Sequence, residues 1–94
     1  MLGIAAKSGH VVSGEFATEK AVKSGHAYLV IVSDEASEST KKNFRNMTEF
    51  YHVPYYCYGS KEDLGRYIGK QFRASIAVTD ENLAKAVENK LKTE

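Results

Sequence analysis

The chain has 94 residues, 43% hydrophobic and 27% charged, with 13 Lys+Arg against 12 Asp+Glu and a formal charge of +1. This is enough for one packed domain, too short for two cores and too apolar for a disordered tract. A nearly neutral balance gives no long-range pull towards nucleic acid, so any such role must rest on where the cations fall.

Along the chain, helical and extended patterns alternate. Residues 1 to 7 read as a short helix ended by Ser8-Gly9, and His10 to Val12 as a short strand. Gly14 to Ser24 reads as a second helix, stopped by Gly25 as a left-handed C-terminal residue. Tyr28 to Ser33 is an apolar, β-branched run, as buried strands are. From Ser39 to Tyr51, Thr40, Phe44, Met47 and Tyr51 share one helical face, while Glu38, Lys41, Lys42, Arg45 and Glu49 lie opposite. Pro54 marks a break before a strand over Tyr55 to Tyr58. Ser60-x-x-Asp63 resembles a capping box, with Asp in place of the usual Glu or Gln, and opens a helix using Leu64 and Ile68. Ser75 to Val78 is a further strand, and Asp80 can cap a last helix striped with Leu83, Ala84, Val87 and Leu91.

Strands separated by helices need crossover connections, so the pattern predicts a three-layer α/β/α sandwich around a mixed sheet of about four strands. The expected core is Leu29, Ile31, Phe44, Met47, Leu64, Ile68, Ile76, Val78 and Leu83. Residues 1–94 are read as a single domain.

No pattern suggests catalysis. Asp34-Glu35, Glu62-Asp63 and Asp80-Glu81 come as adjacent pairs at element boundaries, where acidic residues cap helices. His10, His26 and His52 neighbour turns, have no partner nucleophile and show no metal-ligand spacing with Cys57. Cys57 itself cannot form an internal disulfide, which fits a reducing compartment, and within an apolar strand it reads as a small buried hydrophobe. The longest apolar run, Leu29 to Val32, is too short to span a bilayer, and the N-terminus lacks a secretory h-region. The expectation is a cytoplasmic monomer, not an enzyme, with no cofactor, metal or membrane.

Two segments stand out. On the second helix, Ala17, Thr18, Ala21 and Val22 form a small apolar stripe, and Phe16, Lys20 and Lys23 fall on the opposite side. A ring beside two lysines, in the first turn after Gly14, suits a base stacked above a phosphate-binding helix start. Alternatively, Phe16 packs under the adjoining loop and the lysines merely solvate a surface. In the second segment, Lys70, Gln71, Phe72 and Arg73 form a basic loop with one large apolar side chain. Gly65 and Gly69, four apart before it, leave room for another backbone. Phe72 either stacks on a base or tucks into the core at the start of the next strand.

The run from Ser13-Gly14 through Lys20-Ala21-Val22-Lys23-Ser24-Gly25 to Leu29-Val30-Ile31-Val32 resembles the kink-turn-binding ribosomal protein superfamily of the L7Ae and L30e type. Val53-Pro54-Tyr55, Gly59 to Gly69 and Ala74 to Val78 resemble its second signature, and Asp34 to Ser37 with Thr40-Lys41-Lys42 resembles its short bacterial YlxQ-like subgroup. The resemblance covers nearly the whole chain. It implies an α/β/α sandwich that grips a sharply bent internal-loop RNA with Gly14, Lys20 and the loop Lys70 to Arg73. Phe72 would then lie against a flipped-out base. Where archaeal members read sheared G·A pairs with Asn-Glu, this chain has Phe16-Ala17, and Ala17 offers no side-chain hydrogen bond. The resulting expectation is a protein that binds structured RNA of the ribosomal kind, alongside ribosome-associated proteins, with only a modest kink-turn preference. The competing expectation is a protein-interaction module on the same fold, docking a partner through Phe16.

Overall fold

The computed structural model describes residues 10–67 and 72–93. Within them the order is β1 (Val11–Ser13), α1 (Glu15–Lys23), β2 (Leu29–Val32), α2 (Glu38–Phe50), β3 (Tyr55–Cys57), α3 (Lys61–Tyr67), β4 (Ser75–Val78) and α4 (Glu81–Thr93). The helix expected over residues 1 to 7, Ile68 of the expected core, Gly69, Lys70 and Gln71 lie outside the described residues.

The sheet has the order β1-β4-β2-β3, with β4 antiparallel to both neighbours and β2 parallel to β3. The anticipated mixed sheet of four strands is present. Period-two alternation divides β2 and β4 between two cores. Val30, Val32 and Ala77 pack under α1 and α2 with Ala21, Val22, Phe44 and Met47. Leu29, Ile31, Ile76 and Val78 face the other way, onto Leu64, Ala84 and Val87 of α3 and α4. Every residue of the two central strands is buried, which is why both read as continuous apolar runs.

Local chemistry sets the boundaries. Gly25 takes φ 79, and the Gly25, His26 and Ala27 amides return to Val22 and Ala21 carbonyls, closing α1. Ser37 caps α2 by accepting from the Thr40 amide at 3.1 Å. The Ser60 hydroxyl accepts from the Asp63 amide at 3.0 Å, and Asp80 accepts from Leu83 at 2.8 Å.

Two expectations need correction. Leu83 is only half-buried, because it lies in the first turn of α4 at the core margin. Cys57 is exposed. Strand β3 lies at the sheet edge, with Cys57 opposite Val32 on one side and no strand on the other.

The Cys57 thiol is nevertheless pushed up to about 11, first by its partial desolvation and then by the hydrogen bond it donates to Asp34 Oδ1 at 3.0 Å and the charge of that carboxylate. Its thiolate fraction at neutral pH is therefore minute. Labelling by a thiol reagent should be slow at pH 7 and rise about tenfold per pH unit until close to pH 11. Asp34→Asn, which removes the charge, should speed it at neutral pH. A labelling rate that levels off near pH 8 would contradict this account.

Candidate nucleic-acid interface

The start of the second helix and Phe72-Arg73, the described part of the second segment, meet at one end of the sheet. Strand β1 delivers the chain to Gly14, whose φ of 93 and ψ of 154 place it where side chains are strained. Its amide donates to the Ser75 carbonyl at 2.9 Å, and its own carbonyl accepts from Thr18 at 3.0 Å, beginning α1. Gly14 has no side chain with which to cap this helix start, and among the described residues no other side chain does so, which leaves its first amides open to an anion.

Across this turn comes the end of the loop preceding β4. Arg73 Nε donates to Ser13 Oγ at 3.1 Å, and the Arg73 amide donates to the Lys61 carbonyl at 3.1 Å. Arg73 Nη1 also donates to the Phe72 carbonyl at 2.6 Å. Half-buried and bonded in this way, Arg73 ties the end of the loop to the β1–α1 turn, and among the described residues three of its five N–H groups have no partner. Sequence placed Arg73 in an RNA-gripping loop and gave no sign that it would bond Ser13, which entered only as the first residue of the family-like run.

Phe72 is 60% exposed, and Phe16 is 78% exposed. Neither tucks under a loop or into the core. The stripe opposite Phe16 lies inwards, with Thr18, Ala21 and Val22 buried and Ala17 half-buried. Phe16, Glu19, Lys20, Lys23 and Ser24 line a shallow open depression of about 410 Å³ along the outer face of α1.

The two lysines differ in a way that spacing does not reveal. Lys23 Nζ is 2.9 Å from Glu19 Oε1, and the hydrogen bond and charge of Glu19 raise the Lys23 pKa. Its charge is thus largely offset locally. Lys20 has no ion-pair partner among the described residues, which makes it the more open of the two to a phosphate. Among the described residues no three His, Cys, Asp or Glu side chains gather as metal ligands, and no helix is long and apolar enough to cross a membrane.

This arrangement has relatives. The chain is 39% identical over 84 residues to the RNA-binding protein YlxQ of Bacillus subtilis, covering 89% of this chain and 84% of that protein. It is 34% identical over 84 residues to the large ribosomal subunit protein eL30 of Sulfolobus acidocaldarius, covering 87% and 81%. A solved structure of a protein of unknown function from Bacillus halodurans C superposes with a TM-score of 0.91 at 35% identity, covering 94% of this chain and 89% of that one. Residues 1–88 match the Ribosomal protein L7Ae/L30e/S12e/Gadd45 family throughout. The chain belongs to that family.

Proposed function

We propose that this protein binds structured RNA of the ribosomal, kink-turn-like kind, as one cytoplasmic RNA-binding domain over residues 1–94 acting by recognition and not by catalysis. The observation that carries this reading is the Arg73 Nε to Ser13 Oγ bond. It joins the uncapped start of α1 to the loop before β4, so that Phe16 and Phe72 emerge exposed at one end of the sheet with Lys20 beside them. Exposed rings stack on unpaired bases, while a cation and free amides meet the phosphates that connect them. Lys70 and Gln71, which precede Phe72 in the sequence, are proposed as further contributors to RNA binding. The relatives in Bacillus subtilis and Sulfolobus acidocaldarius, an RNA-binding protein and a large ribosomal subunit protein, support the same reading.

The test is binding to a duplex interrupted by a sharply bent internal loop, compared with an uninterrupted duplex of the same length. The bent RNA should bind more tightly, because only unpaired bases can reach Phe16 and Phe72. Its advantage should be modest, because Ala17 contributes no hydrogen bond to a base edge. Failure to bind either RNA at low salt would overturn this reading in favour of partner docking.

A further inference from the structure

Exposed aromatic surface continues beyond α1. Phe50 is 75% exposed and Tyr51 is 40% exposed, and their rings stand edge to face with centroids 5.0 Å apart. Strands β1 and β2 both run antiparallel to β4, so α1 and α2 start at the same end of the sheet and finish together at the other. The aromatic pair is held in place where α2 stops. The Tyr51 amide donates to the Met47 carbonyl at 3.0 Å, His52 turns the chain with φ 60, and Val53 returns to the Thr48 carbonyl at 2.8 Å.

Phe44 and Met47 of α2 share a core with Ala21 and Val22 of α1. Beside Met47 on the helix, Asn43, Asn46 and Phe50 follow at i, i+3 and i+7, and all three are exposed. The two amide side chains have no partner among the described residues.

We propose that Phe50, Asn46 and Asn43 form a second base-binding element, which takes a single-stranded run leaving the structured RNA held at Phe16 and Lys20. This rests on the RNA reading above. Carbon surface alone would suit a protein anchor, but a ring flanked by two open amides matches a nucleobase, whose face stacks and whose edge offers donors and acceptors. The route between the elements is short, since Phe16 and Lys23 are about 10 Å apart along the α1 axis. Glu19 offsets Lys23 and Glu49 adjoins Phe50, so this element adds stacking and edge contacts with little phosphate attraction.

Fluorescence anisotropy should compare an internal-loop RNA with the same RNA carrying a single-stranded uridine tail, placed at either end. The tailed RNA should bind wild type roughly fivefold or more tightly, the effect of one stacked base, with an advantage that persists as salt is raised. Phe50→Ala should abolish that advantage and leave the untailed RNA unaffected, whereas Phe16→Ala should weaken both. Equal binding of the two RNAs by wild type, or an undiminished advantage in Phe50→Ala, overturns this proposal while the RNA reading stands. Binding of neither RNA overturns the RNA reading itself. Sedimentation that shows wild type associating with itself, and Phe50→Ala remaining monomeric, assigns the pair to a protein contact and overturns the proposal too. Phe50 is mostly in water, so the variant should melt at the wild-type temperature, and a circular dichroism melt checks this.

Discussion

Phe16→Ala is expected to lower the affinity for an internal-loop RNA roughly 5- to 150-fold, the loss of a stacking ring worth about 1–3 kcal/mol, while leaving its salt dependence unchanged. Phe16 carries no charge and is 78% exposed, so its truncation removes contact area from the complex and almost nothing from the fold. Lys20→Ala should do the opposite. One lost phosphate contact flattens the slope of log affinity against log salt by about one unit and weakens all RNA sequences alike. Lys23→Ala should flatten it less, because the Glu19 carboxylate 2.9 Å away already offsets that cation. Measuring all three variants at several salt concentrations distinguishes stacking from charge at each position. An unchanged affinity in both Phe16→Ala and Lys20→Ala would show that RNA is held elsewhere. A slope that falls equally for Lys20→Ala and Lys23→Ala would show that the ion pair opens when RNA binds.

The residues that make these variants worth testing were only partly visible in sequence. Period and punctuation sufficed for the elements: the apolar runs 29–32 and 75–78 became central strands, and Gly25, Ser60 and Asp80 closed or opened helices as their chemistry requires. Helical spacing also separated Phe16, Lys20 and Lys23 from the buried stripe of α1. It could not show that Glu19 would pair with one lysine and not the other, since Glu19 lies four residues before Lys23 and one before Lys20. Nor could it show that Arg73 would reach back 60 residues to Ser13, a contact made only when β1 and β4 pair. Cys57 was misread for a similar reason. An apolar neighbourhood in sequence marks a strand, but strand order decides whether that strand is covered, and β3 fell at the edge. Phe50 went unnoticed because it lies off the α2 stripe, and its significance depends on which helix ends beside it.

The second large effect is expected at Phe44, where the substitution made at Phe16 should have the reverse consequence. Phe44 is fully buried in the core that α1 and α2 share over Val30, Val32 and Ala77. Phe44→Ala removes a ring that close-packed neighbours cannot fully replace, which costs about 3–5 kcal/mol. A chain of this length has a total stability of about 5–14 kcal/mol, so this loss is a large fraction of it. The melting temperature should fall by roughly 12 °C or more. Phe16→Ala, on the exposed face of the neighbouring helix, should stay within about 0.5 kcal/mol of wild type. At temperatures where Phe44→Ala is still folded, its RNA affinity should match wild type, because Phe44 is fully buried and presents nothing to a ligand at the surface. Thermal unfolding and RNA binding measured on both variants therefore test the division of labour between the inward and outward faces of this helical layer. A Phe44→Ala protein that keeps its melting temperature would mean the core closes over the missing ring. One that is folded yet no longer binds would mean that α2 packing sets the position of α1, and with it the spacing between Phe16 and the loop anchored by Arg73.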